Sequence, residues 1–163
     1  MTLGRHLAQL NLARLTHPMD GPEMADFVAA LDNINALAER SSGFVWRLVG
    51  DGDDATDVRA EGFDDVLVNM SVWSGIEPLR QFVYKTAHAA VMARRSKWFP
   101  SFGGAYYVLW WIDEGHVPTV AEAVSRLRQL DAEGDGPDAF TFDRPFAADG
   151  APLALPEIIK DCA

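Results

Sequence analysis

Hydrophobic and polar positions along the chain change period several times, and each change marks an element. After Asp20, the residues Met24, Phe27, Val28, Leu31, Ile34 and Leu37 recur at helical spacing, with Gly43 as a stop. Leu79, Phe82, Val83, Val91 and Met92 form a second such stripe, which could run to Trp98. That length predicts a bend or break near Thr86. A third stripe is Val120, Ala123, Val124, Leu127 and Leu130, with Gly134 beyond it. Each helix start carries a capping-box spacing, Asp20…Glu23, Ser74…Glu77 and Thr119…Glu122. Strand-like runs lie between them at His6–Leu15, Phe44–Gly50, Val66–Trp73 and Ala105–Ile112, and "DGDDATD" (Asp51–Asp57) reads as the polar turn joining the second and third.

The order is β-α-β-β-α-β followed by a third helix, the split βαβ or ferredoxin-like order of an α+β fold with one antiparallel sheet. Period-2 alternation then sorts the strand faces. Val66, Val68, Met70 and Val72 oppose Leu67, Asn69, Ser71 and Trp73, and Ala8, Leu10 and Leu12 oppose Gln9, Asn11 and Ala13. In the second strand Phe44, Trp46 and Leu48 oppose Val45, Arg47 and Val49. The first two helices are expected on the purely apolar faces. The mixed face, with Gln9, Asn11, Arg47, Asn69, Ser71 and Trp73, is too polar for a dry core and too apolar for water, so a second copy of the sheet or a ligand is expected over it. Ala105–Ile112 is apolar on both sides, as strands covered on both faces are. One of Trp110 and Trp111 is expected beneath the helices and the other toward an inter-subunit barrel.

"NMSVWSGIEPLRQFVYKTAHAAVMARRSKWF" (Asn69–Phe99) and "YYVLWWIDEGHVPTVAEAVSRL" (Tyr106–Leu127) resemble a bacterial family of uncharacterised proteins. That family lies within the dimeric α/β-barrel superfamily that includes the antibiotic-biosynthesis monooxygenases. "LDNINALAERSSGFVWRL" (Leu31–Leu48) and "AFTF" (Ala139–Phe142) fit the same pattern. The resemblance spans residues 5 to 146 and treats 1–163 as a single domain with a C-terminal tail from 147. It implies a ferredoxin-like fold, a homodimer that closes a dimeric α/β barrel, and a cavity between sheet and helices. It does not imply one activity, because relatives include cofactor-independent monooxygenases, haem-degrading and haem-containing enzymes, isomerases and cyclases. Function lies in the site rather than the fold.

Composition narrows the partners. Apolar residues are 48% and charged residues 23% of the 163, an ordinary globular balance. The net charge of −10 argues against nucleic acid or an anionic membrane as a partner. Ile76–Pro100 departs from this, with Arg80, Lys85, Arg94, Arg95 and Lys97 against Glu77 alone. Basic residues near a helix C-terminus complement its dipole, and an anion-binding edge is the other reading. The lone cysteine, Cys162, excludes a disulfide framework and a cysteine metal site. With no long apolar run, a cytoplasmic protein is expected.

No nucleotide-loop, zinc-protease or nucleophile-elbow motif is present, and "DGDDATD" lacks the fifth-position oxygen and sixth-position glycine of an EF-hand. Candidate chemistry falls on Tyr84 and His88, which are four apart and so share a helix face, and on Arg95 two turns further along it, with Trp98 at the end. Imidazole titrates near neutrality, so His88 with Tyr84 could move a proton while Arg95 and Arg47 orient an anion. Asn69 could stabilise developing negative charge, with Ser71, Trp73 and Trp111 lining the pocket. Each has a structural alternative: Tyr84 and His88 as core-edge residues, and Asn69, Ser71 and Trp73 as interface hydrogen bonders. No metal or bound cofactor is expected; haem through His88 is the alternative. His116, in "GHVPT", reads as a turn residue. The resulting expectation is a small-molecule-binding barrel for an apolar or aromatic ligand with an anionic or carbonyl group. It would be either a monooxygenase-like or isomerase/cyclase-like enzyme, or a binding protein without turnover.

Overall fold

The computed structural model describes residues 4–15, 17–50, 56, 58–60, 65–86, 89, 93, 98–99 and 104–154. Strand β1 (Arg5–Arg14) leads through a 3-10 turn (Pro22–Met24) into α1 (Ala25–Arg40), then β2 (Phe44–Arg47). There follow β3 (Val66–Trp73), α2 (Ile76–Lys85), β4 (Tyr107–Asp113) and α3 (Val120–Glu133). The sheet order is β2-β3-β1-β4 with every pairing antiparallel, which is the ferredoxin-like arrangement. The residues of "DGDDATD" other than Thr56 lie outside the described residues.

The face assignment from alternation holds for β1 and β3, but the coverage is reversed. Ala8, Leu10, Leu12, Val66, Val68, Met70 and Val72 are buried with Ala123, Val124, Leu127 and Leu130 of α3. The mixed face carries Leu7, Trp73 and Leu109, and these pack with Ile34, Leu37 and Ala38 of α1 and Ile76, Leu79 and Phe82 of α2. The two crossover helices therefore roof the polar-containing face, and the third helix seals the apolar one. A single stripe of α3 suffices on that side because its residues meet an unbroken apolar floor. The twin subunit expected over the mixed face is not what covers it.

The Trp110–Trp111 pair resolves accordingly. Trp110 is buried beneath α3 and donates its indole N–H to Glu122 Oε2 at 3.1 Å. Trp111 points to the other face and donates to the Phe146 carbonyl at 2.8 Å. The chain after α3 supplies that cover. Phe140 exchanges two backbone hydrogen bonds with Leu109 (2.8 and 2.9 Å), lying along the outer edge of β4, and its ring is fully buried. Neither tryptophan needs a partner subunit to be covered.

β2 departs from strict alternation. Phe44 pairs with Trp73, Trp46 with Val72 and Arg47 with Ser71, so a bulge intervenes between Phe44 and Trp46. Phe44 consequently joins the mixed face, edge-on to Trp73 at 5.5 Å, while Trp46 and Leu48 pack on the α3 side. The expected grouping of Phe44 with Trp46 is thereby corrected.

Candidate functional site

Helices α1 and α2 do not press flat on the mixed face. Between them and the sheet lies a cavity of about 780 Å³. Its walls are mainly apolar, with Phe27, Leu31 and Ile34 from α1, Leu79, Phe82 and Val83 from α2, and Trp98, Phe99 and Phe142 at its ends. Phe27 contacts Trp98 at 5.5 Å and Phe99 edge-on at 5.1 Å, and Trp73 stacks on Phe82 at 5.1 Å. The floor is the polar part. Gln9, Asn11, Asn69 and Ser71 stand on it because β1 and β3 pair in a register that sets Gln9 opposite Ser71 and Asn11 opposite Asn69.

These side chains are wired together. Gln9 Nε2 donates to Asn69 Oδ1 and to Ser71 Oγ, both at 2.8 Å, and Trp73 Nε1 donates to the same Ser71 Oγ at 2.9 Å. Ser71 is the buried polar residue of the described core. At one side Arg47 Nε donates to Glu39 Oε1 at 2.7 Å, so much of its charge is met by α1. The other ionisable groups among the described lining are Tyr84, Tyr106, Tyr107 and Asp143. Burial pushes the Tyr107 phenol well above its ordinary value, against a smaller lowering by the Phe142 backbone N–H that it accepts at 3.2 Å. Tyr107 is therefore a neutral hydrogen-bonding group at ordinary pH, not a base.

Of the residues named from the sequence, Arg47, Asn69, Ser71, Trp73, Tyr84 and Trp98 line this cavity. Trp111 lies outside it, held at the Phe146 carbonyl, and the expectation that it shares the pocket is corrected. His88 and Arg95 lie outside the described residues. α2, which carries Tyr84, ends at Lys85, and Thr86 is extended at φ −121°, ψ −176°. A break near Thr86 is what the periodicity predicts. The haem alternative falls on His88 and so lies outside the described residues. In the cationic segment Arg80 is engaged by Glu77 at 2.7 Å. His116 accepts the turn role, its Nε2 lying 2.7 Å from Glu122 Oε1.

Gln9, Asn11, Tyr107, Phe142 and Asp143 are site residues that sequence reasoning did not select. Alternation along β1 already put Gln9 and Asn11 on the mixed face. Phe142 and Asp143 carry no local signal, since the segment after α3 is brought there by its hydrogen bonds to Leu109 and Tyr107 of β4. No helix among the described residues is long and apolar enough to cross a membrane.

Solved structures that resemble this one weakly include the following three. A mutant of SnoaB, a cofactor-independent oxygenase from Streptomyces nogalater, is 12% identical, with 69% of this chain and 95% of that chain covered at a TM-score of 0.45. A Nitrosomonas europaea protein of unknown function is 14% identical, covering 72% and 97%, at 0.44. Another SnoaB structure is 15% identical, covering 72% and 98%, at 0.41. No curated protein matches the chain. Residues 6–155, nearly the whole sequence, match the family described as "Domain of unknown function (DUF3291)", and the chain belongs to that family.

Proposed function

We propose that the cavity between the sheet and α1/α2 binds a small, largely apolar or aromatic molecule bearing one anionic or carbonyl oxygen. The observation that carries this reading is the cavity itself: about 780 Å³, aromatic at its walls, with a compact polar floor of Gln9, Asn69 and Ser71. Concave, mostly apolar sites with few convergent polar groups are where small ligands bind. As an enzyme, the chain would act without a bound cofactor, in a monooxygenase-like or isomerase/cyclase-like reaction. Asn69 would face developing negative charge and Tyr84 would exchange a proton at the cavity rim. The resemblance to the monooxygenase superfamily supports that version.

Binding without turnover is the second reading, and it has its own observation. The buried phenol of Tyr107 on the cavity wall is held neutral and serves as a hydrogen-bonding group. Native mass spectrometry of gently purified protein tests the shared premise: a bound small molecule is expected. With that molecule in hand, Tyr84→Phe and Asn69→Ala separate the readings. Retained binding with lost conversion supports the enzyme; no conversion by the parent protein supports the binding protein.

A further inference from the structure

The hydrogen-bond polarity of the cavity floor determines which ligand atom it takes, and the geometry points to Gln9 as the residue that sets it. This inference rests on the cavity being a ligand site. A serine hydroxyl has one proton to give and two lone pairs to receive. Both receiving positions of Ser71 are used, one by Gln9 Nε2 at 2.8 Å and one by Trp73 Nε1 at 2.9 Å. The Trp73 indole can only donate, and its residue is fully buried, so Ser71 has no freedom to receive from elsewhere. Its proton has no acceptor among the described residues, and Ser71 lines the cavity.

Gln9 applies the same constraint to Asn69. Its second amide proton goes to Asn69 Oδ1 at 2.8 Å, which leaves the Asn69 NH₂ group directed away from Gln9. Ser71 O–H and Asn69 N–H thus form two neighbouring donors, and the Ser71 Oγ and Asn69 Oδ1 acceptors beside them are engaged by Gln9 and Trp73. Once a ligand displaces water, an unpaired buried donor is costly. The site therefore selects an acceptor oxygen: a ketone, quinone, enolate or phenolate, over a hydrocarbon or an ammonium of the same shape. Gln9 is a positioning residue, since it acts on the ligand through Ser71 and Asn69.

Three probes of one shape read this directly: 1-tetralone, tetralin and protonated 1-aminotetralin, titrated into the full chain and followed by tryptophan fluorescence and amide NMR shifts. The ketone is expected to bind about tenfold more tightly than tetralin, against the solubility trend, and more tightly than the ammonium. Gln9→Glu turns the two donors into acceptors that consume the Ser71 and Asn69 protons, so the ketone preference should fall to near unity while tetralin binding persists. Ser71→Ala should reduce it severalfold. Equal binding of ketone and hydrocarbon by the parent protein overturns the inference and leaves the cavity reading intact. Tighter binding of the ammonium overturns it by showing acceptors outward, with the Gln9 amide set the other way. Failure of all three probes to bind overturns the cavity reading, and this inference with it. The parent protein decides among these even where a variant does not fold.

Discussion

Gly43 turns the chain from α1 into β2 at φ +85°, and a Cβ there would collide with the Pro78 ring and lie 2.7 Å from Ser74 Oγ. Glycine is required at this position by both backbone and space. Gly43→Ala should cost about 1–3 kcal/mol in urea unfolding; an unchanged midpoint would show that the loop relaxes freely. Tyr107 offers a test of different kind. Its phenol is held neutral by burial, so its folded pKa lies above the unfolded value near 10. The contribution is fully present below that value and is lost as pH rises beyond it, because the unfolded chain releases a proton the folded chain retains. Tyr107→Phe should therefore flatten the alkaline fall in stability. Below pH 9 it should cost about 1–3 kcal/mol by leaving the Phe142 N–H without its acceptor. Urea titrations of both proteins on either side of pH 10 would reveal this, and parallel curves would argue that Tyr107 is hydrated.

Among the elements, the three capping-box spacings did not prove equivalent. Thr119 Oγ1 accepts from the Glu122 N–H at 3.1 Å and caps α3. The Glu122 carboxylate does not complete the box; it serves His116 and Trp110 instead. At α2 the cap position is Gly75, and at α1 it is Met24 behind a 3-10 turn, neither with a side-chain cap bond. Pro22 begins that turn two residues after Asp20, and Ser74 is drawn to Gly43, its N–H donating to the Gly43 carbonyl at 2.7 Å. Thr119→Ala should thus cost about 1 kcal/mol in thermal or urea melts, while Asp20→Ala and Ser74→Ala should fall within about 0.5 kcal/mol of the parent. Equal losses at all three would contradict this ranking. The bulge in β2 illustrates the same limit of local pattern. Strict alternation places Phe44 with Trp46, and one extra residue on the edge strand parts them.

On the scale of the molecule, the described walls of the cavity come from one chain, with α1, α2, the sheet and the return segment at Phe142 all contributing. Pairing of two copies remains what the family resemblance implies, and light scattering reads it directly. Ligand binding should not depend on pairing: 1-tetralone affinity is expected to be the same across a hundredfold dilution of protein. A dissociation constant that weakens on dilution would mean a partner subunit completes the site.

The order of strands and helices, the break at Thr86, the membership of each face in β1 and β3, and the double cover of β4 were all decided by the sequence itself. Those properties depend on period and on residues near one another, where backbone geometry dictates which side chains share a side. Only the tertiary structure decided which layer covers which face. An aliphatic floor attracts any apolar helix stripe equally, and the choice between α1/α2 and α3 follows from crossover connections rather than composition. The polar floor was visible as alternating residues; its wiring through Gln9, and the closing of the cavity by Phe142, required strands and segments distant in sequence to meet at atomic distance.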